Sequence, residues 1–411
     1  MADLTRRGLL AAGALTLLAG CGKDQPRQQA ADGRPQGTVN VWLHGSQDTG
    51  RQFQELVHRY MADFQVDVRL LYLPVGQLDA KLLTAFSGGA PPDVFKIGHW
   101  SFPAHAKKNR LAPVDTKALP LQNYEPGTTT PLTYQDVPYG VPVDFNPCLL
   151  YFRKDRFEEA GLDPGKPPAT WEEIAEYSAE LTSRDRRRVG LQWLYGDPQW
   201  ALMMLTALVK GKGGEFGKKL TTEQGLNALT YMSKLGNPQL SNPLGALGLF
   251  YSGEAAMVVS GAFLGPALEK LGKDKLTFGK QYGVAPMPAW AGGTSVVPAY
   301  TWGWGVAKDS PNQFTAWHLV NYLQGAPSVT ANLDNGIIIP AKGWREAGPR
   351  GKSEIMKIVA DSLPHVDFGP IVPGALELAK AAAGAVDSVA HGKATPAQAA
   401  AAFDTTVRLI R

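Results

Sequence analysis

Cysteine is nearly absent: 411 residues hold two, Cys21 and Cys148. A chain this long is therefore held by its apolar core and not by a disulfide framework. Cys148 lies in the apolar run Cys148-Leu149-Leu150-Tyr151 and reads as a buried small hydrophobe, not a nucleophile. A dominant charge is absent too. The net charge is +4, and the basic residues are scattered, which excludes the basic stripe of a nucleic-acid binder. The densest basic cluster, Arg184, Arg186, Arg187 and Arg188, falls between a helical and a strand pattern and reads as a solvated turn. Catalytic signatures are missing as well. There is no Gly-x-x-x-x-Gly-Lys-Ser/Thr phosphate loop and no His-Glu-x-x-His. There is no Gly-x-Ser-x-Gly elbow. The seven histidines are dispersed, with no Cys/His cluster at metal-ligand spacing. Gly211-Lys212-Gly213-Gly214 lacks dinucleotide spacing and reads as a surface turn. Beyond the N-terminus no run is long and apolar enough to cross a bilayer. Together with the N-terminal lipid-anchor signal and the two-lobed pattern described next, these absences favour binding over catalysis.

The N-terminus carries an address. Arg6-Arg7 precedes an apolar run from Gly8 to Leu18, then Leu18-Ala19-Gly20-Cys21. This reads as an export signal ending in a lipoprotein cleavage box. The apolar run, about 11 residues, is too short to span a hydrocarbon core that needs about 20. Cleavage before Cys21 leaves that residue as a lipidated N-terminus, anchoring the protein to the cell envelope. Thr5-Arg6-Arg7-Gly8-Leu9-Leu10 also has the form of a twin-arginine signal, and the choice between export routes stays open. Residues 22–37 are polar, without apolar periodicity, and read as a flexible tether.

The remaining body exceeds the size at which one core usually keeps growing, so two lobes are expected. Val39, Val41 and Leu43 alternate as in a strand, and Phe53 to Phe64 repeat at helical spacing. A strand at 66–72, a helix at 78–86 stopped by Gly88-Gly89, and a strand at 93–97 follow. This β-α-β-α-β order predicts an α/β fold with a parallel sheet covered by helices. Ligands of such sheets sit beyond the carboxyl ends of the strands, here the loops at 44–48 and 98–101. Residues 135–146, with Pro138, Gly140, Pro142 and then Pro147 as punctuation, predict an extended crossing between lobes. Thr170-Trp171-Glu172-Glu173 is a capping box. Further helices are expected at 198–209, 222–235, 314–323, 376–389 and 396–410, and strands at 149–152, 189–195, 256–259, 282–285 and 304–307.

Several of these stretches, in this order, resemble the solute-binding lipoproteins of bacterial ABC importers, in the sugar-binding group to which maltose-binding protein belongs. One is the run from Lys81 to Val94, with its Gly88-Gly89 stop and Pro92-Asp93-Val94. A second comprises Tyr139-Gly140-Val141-Pro142 and Leu150-Tyr151-Phe152-Arg153-Lys154. The others are Pro168-Ala169-Thr170-Trp171-Glu172-Glu173, Phe250-Tyr251-Ser252-Gly253-Glu254-Ala255-Ala256-Met257, and Tyr282-Gly283-Val284-Ala285-Pro286 with Trp302-Gly303-Trp304-Gly305-Val306. Tyr151-Phe152-Arg153 departs from the family's usual tyrosine-asparagine-lysine. The resemblance implies a two-lobed, hinged binding-protein fold, a carbohydrate ligand, no enzymatic activity, importer permease subunits as partners, and a monomer needing no cofactor or metal. By analogy the first lobe holds 38–142 and 303–336, and the second 143–302 and 337–411.

A sugar offers C–H faces to aromatic rings and hydroxyl rims to planar polar groups. The expected ligand residues follow from position at strand ends and crossings. They are His44, Gln47, Asp48 and Trp100 in the first lobe, and Asp144 after the crossover. Trp193, Tyr195, Trp200 and Phe263 follow in the second lobe, Tyr300, Trp302 and Trp304 at the second crossing, and Trp344 and Arg345 near the last. Trp42, Trp171 and Trp317 are expected in the core, and Asp93 as a structural acid. Two alternatives stay open: a binding protein for a charged solute such as glycerol phosphate or a polyamine, and a secreted carbohydrate-active enzyme.

Overall fold

The computed structural model describes residues 33–44, 51–183, 187–192, 197–217, 219–235, 246–270 and 276–410. Cys21 and most of the tether lie outside the described residues.

The chain begins with the alternation the sequence predicts. β1 (Thr38–His44) buries Val39, Val41 and Leu43 on one face. α1 (Arg51–Phe64) packs on that face, and β2 (Asp67–Leu73) pairs parallel to β1. α2 (Val75–Ser87) ends at Gly88 and leads into β3 (Val94–Gly98), also parallel to β1. The first sheet then closes with strands that return much later: its order is β2, β1, β3, Trp302–Val306, Gly140–Pro142. The last two run antiparallel to their neighbours, so the sheet is mixed where the local pattern predicts a parallel one. The reason is connectivity: Trp302–Val306 arrives from the other half of the molecule and not through a right-handed helical crossover, and Gly140–Pro142 pairs antiparallel to it just before the chain leaves the first half.

The second sheet has the order Tyr282–Ala285, Leu149–Arg153, Ala255–Ser260, Val189–Gln192. Its six-residue central strand is buried throughout. Helices Pro198–Gly211, Glu223–Leu235, Ala375–Ala390 and Pro396–Val407 form its outer layer. Trp171 starts the helix Trp171–Leu181, whose capping box is complete: the Thr170 hydroxyl accepts from Glu173 N–H at 3.1 Å, and the Glu173 carboxylate accepts from Thr170 N–H at 3.1 Å. A second box, Thr395 with Gln398, opens the last helix.

Between the two sheets lies a third, of three short strands: Val366–Asp367, Val297–Tyr300 and Asn146–Pro147. The chain passes through it at 142–149 and again at 300–302, so these crossings link the halves. One apolar cluster spans this region, joining Val41 and Trp304 to Tyr151 and Val258 through Phe145, Ala299 and Ile338. Trp171 and Trp317 are buried as expected. Trp42 is half-buried, with the Lys81 ammonium 5.4 Å from its ring centroid. Cys148 is fully buried, and burial pushes its thiol far up, which removes any thiolate character. Asp93 is structural: it accepts from Asn40 N–H at 2.8 Å and from the Ser310 hydroxyl at 2.5 Å, tying β1 to the segment after Trp302–Val306. Among the described residues no helix is long and apolar enough to cross a membrane.

Candidate ligand site

The carboxyl ends of β1 and β3 and the crossing at 300–302 converge on one aromatic group. The Trp302 ring lies 3.9 Å, centroid to centroid, from the His44 imidazole at 46°. Trp100 meets Trp302 edge-on at 5.3 Å and 73°. Gly98 makes that placement possible: a Cβ there would lie 2.2 Å from Trp100 Cζ2, so the indole folds back over a bare backbone. The Asp79 carboxylate, on α2, accepts from the Ser101 hydroxyl at 3.2 Å and from the Trp100 side chain; burial raises its pKa.

A buried ion pair sits under this group. Lys96 Nζ is 3.6 Å from Asp144 Oδ2 and 6.0 Å from the Trp302 centroid. Asp144 Oδ1 accepts from Trp302 N–H at 2.8 Å, and Asn146 adds a side-chain hydrogen bond. Burial raises the Asp144 pKa and lowers that of Lys96, and each charge opposes the shift of the other. Burial first, and then the nearby Lys96 charge, push His44 down to about 2, so its ring is neutral. His44 Nε2 is buried and has no hydrogen-bond partner among the described residues. The group thus offers aromatic faces and hydrogen-bonding edges over a pair whose charges cancel.

On the other side of the crossing, Tyr300 meets Trp200 edge-on at 5.9 Å, near the start of helix Pro198–Gly211. Tyr300 also pairs across the third sheet with Asn146. Phe263 follows Ser260 and Gly261, and its ring lies against Gly261.

The expected residues therefore divide. The structure brings His44, Trp100, Asp144 and Trp302 into contact, with Tyr300, Trp200 and Phe263 around the same crossing. Gln47, Asp48, Trp193 and Tyr195 lie outside the described residues. Two expectations are corrected. Trp304 is buried in the core, stacked on Phe53 of α1 at 5.7 Å and 24°: it shares a face of its strand with Trp302, but lies where α1 covers that face. Trp344 is 2% exposed and lines a separate cavity of about 610 Å³ with Tyr124 and Val329, and Arg345 follows it in the 3-10 turn Trp344–Glu346. Lys96 and His99 also join this group, through Asp144 and Trp100, and neither is expected from the sequence. The available signal for Lys96 was a lysine inside the otherwise apolar strand Val94–Gly98.

Comparison with known proteins agrees with this architecture. The profile of the bacterial extracellular solute-binding proteins matches residues 44–329. The chain belongs to that family, whose members are exported binding proteins and not enzymes. More particularly, a binding protein of Brucella abortus (strain 2308) is 23% identical over 373 residues, covering 85% of this chain and 87% of its own. The sn-glycerol-3-phosphate-binding periplasmic protein UgpB of Salmonella typhi is 24% identical over 208 residues, covering 48% of this chain and 46% of its own. Among solved structures, an ABC transporter solute-binding protein of Thermotoga lettingae bound with α-D-tagatose superposes with a TM-score of 0.80 at 20% identity, covering 90% of this chain and 100% of that one. The GacH receptor of Streptomyces glaucescens, described unliganded and with acarbose, gives 0.78 at 22% identity, with 92% and 100% covered. Maltose-bound MalE3 of T. maritima gives 0.79 at 19%, with 91% and 100% covered. The fold is that of these two-lobed binding proteins.

Proposed function

We propose that the protein captures an uncharged carbohydrate, a mono- or oligosaccharide, between its two halves and delivers it to the membrane subunits of an ABC importer. The observation that carries this reading is the His44–Trp302–Trp100 group above a self-neutralised Lys96–Asp144 pair. Aromatic faces suit the C–H faces of a sugar ring, and the imidazole and carboxylate edges suit its hydroxyls. A phosphate or polyamine needs uncompensated charge of one sign; here the one buried lysine of the group is spent on Asp144. The tagatose-, maltose- and acarbose-bound proteins of the same fold support the ligand class. The match to UgpB keeps glycerol phosphate as the competitor to be tested.

In this reading the halves are 38–142 with 303–336, and 143–302 with 337–411. Ligand touching both halves favours the closed form that the importer engages. The protein acts as a monomer, held to the cell envelope by lipid on Cys21. Gln47, Asp48, Trp193 and Tyr195 are proposed as further ligand contacts.

The test is a thermal-shift panel of mono- and oligosaccharides with glycerol phosphate included, followed by calorimetry on Trp302→Ala. A sugar should raise the melting temperature of the wild type, and the variant should bind it at least tenfold more weakly while still folding. A shift with glycerol phosphate and none with any sugar would overturn the ligand class.

A further inference from the structure

One buried side chain beside the aromatic group ties together three segments that are far apart in sequence. His99 follows β3 in a short 3-10 turn, His99–Ser101, and is 4% exposed. Its backbone N–H donates to the Thr301 carbonyl at 2.9 Å. Its Nδ1 lies 3.4 Å from the Thr301 nitrogen, and its Nε2 lies 3.1 Å from the Phe368 carbonyl oxygen. A backbone N–H only donates and a carbonyl only accepts. Both contacts are satisfied at once by a neutral ring with its proton on Nε2. Burial keeps the ring in that form, pushing its pKa down to about 4. The same ring meets Phe368 edge-on at 5.6 Å and Trp100 edge-on at 5.1 Å.

The three segments belong to different parts of the molecule. His99 extends β3 of the first sheet. Thr301 stands between Val297–Tyr300 of the third sheet and Trp302–Val306 of the first. Phe368 follows Val366–Asp367, and Asp367 is ion-paired with Lys210 of helix Pro198–Gly211 in the second half. A chain of polar contacts therefore runs from the first sheet through one imidazole to the helical layer of the second half.

We propose that His99 is a positioning residue: it clasps the two halves in the ligand-ready arrangement and holds Trp100 in place, without touching ligand itself. This rests on the reading that ligand is captured between the halves. A histidine serving only to fill space needs its shape and not its two polar contacts. Phenylalanine keeps the ring and loses both contacts. Glutamine presents an acceptor and a donor on one planar amide and can keep both.

The experiment compares the wild type, His99→Phe and His99→Gln as full chains. Ligand-free hydrogen exchange and small-angle scattering come first, then calorimetry with the tightest carbohydrate from the panel. H99F is expected to exchange faster in peptides covering 297–304 and 366–370, to show a larger radius of gyration, and to bind about tenfold more weakly. H99Q is expected to return all three towards the wild type. Wild-type exchange, scattering and affinity in H99F would overturn the clasp, and so would an H99Q that folds but behaves like H99F. If H99F does not fold, H99Q alone decides, since it must then match the wild type. If no carbohydrate binds the wild type, the capture reading fails, while exchange and scattering still judge the clasp.

Discussion

Gly98→Ala is the sharpest probe of the aromatic group, because it moves a ring without deleting one. An added Cβ would lie 2.2, 2.3 and 2.5 Å from Trp100 Cζ2, Cε2 and Cη2, where ordinary contact begins near 3.4 Å. The indole must withdraw by about 1 Å or more. Trp100 is partly exposed, so it can swing outward rather than break β3. Overpacking of this kind costs about 1–3 kcal/mol of stability. The swing also takes Trp100 away from Trp302, which it meets at 5.3 Å. A well-buried aromatic contact with ligand is worth about 1.5–3 kcal/mol, which corresponds to roughly a ten- to hundredfold change in affinity. Calorimetry with the sugar identified by the panel reads the binding term, and urea denaturation reads the stability term. The double variant Gly98→Ala/Trp100→Ala adds a control. With the indole gone the methyl has nothing to strike, so stability should recover relative to Gly98→Ala while binding stays weak, a non-additive pattern. Wild-type affinity in Gly98→Ala, or a double variant whose stability losses simply add, would refute the placement of Trp100 in the ligand contact.

The remaining predictions concern the charges around the same group. Lys96→Met leaves Asp144 buried and without its cation, which should cost about 3–5 kcal/mol by urea denaturation. Adding Asp144→Asn should recover most of that loss, and a single variant within about 1 kcal/mol of the wild type would show that the pair is unimportant. Acid should weaken the fold through its buried imidazoles. Burial pushes His44 down to about 2 and His99 and His105 to about 4, from an ordinary 6.5. Below about pH 6.5 the unfolded chain takes up protons that the native rings refuse, so stability is complete above that pH and falls as pH drops towards 4. Each refused proton contributes a slope of about 1.4 kcal/mol per pH unit. Asp79 and Asp144, raised by burial, work in the opposite sense by accepting protons in the native state. Denaturation midpoints that do not move between about pH 7.5 and about pH 5 would contradict the neutral, buried state of these rings.

Much of the local structure was legible because its causes are local. The alternation in β1, the helical spacing of α1 and the Thr170–Glu173 box each depend on neighbours within a turn or two. The helices Ala326–Leu333 and Glu354–Ser362 are not expected from the sequence because both are short, although Glu354–Ser362 buries Ile355, Met356 and Val359 at helical spacing behind its Ser353 cap. Trp302 and Trp304 show the limit most clearly. Both are tryptophans at one crossing, two residues apart on the same strand, yet one meets His44 and Trp100 and the other is sealed under α1. What separates them is how far along the sheet the covering helix reaches, and no pattern within the strand encodes that.

The sequence by itself determined the β-α-β-α-β opening, the caps, the burial of Trp171, Trp317 and Cys148, and the family, because each rests on residue types at short spacing. Only the tertiary structure decided that the first sheet is mixed, that Lys96 neutralises Asp144, that Gly98 gives Trp100 its room, and that His99 reaches Phe368. Those contacts join residues 48, 2 and 269 positions apart. Where the separation is long, chain connectivity and packing of the whole molecule set the partner. At Gly98 the spacing is short, but the direction of the ring depends on Trp302, which arrives from the far side of the sequence.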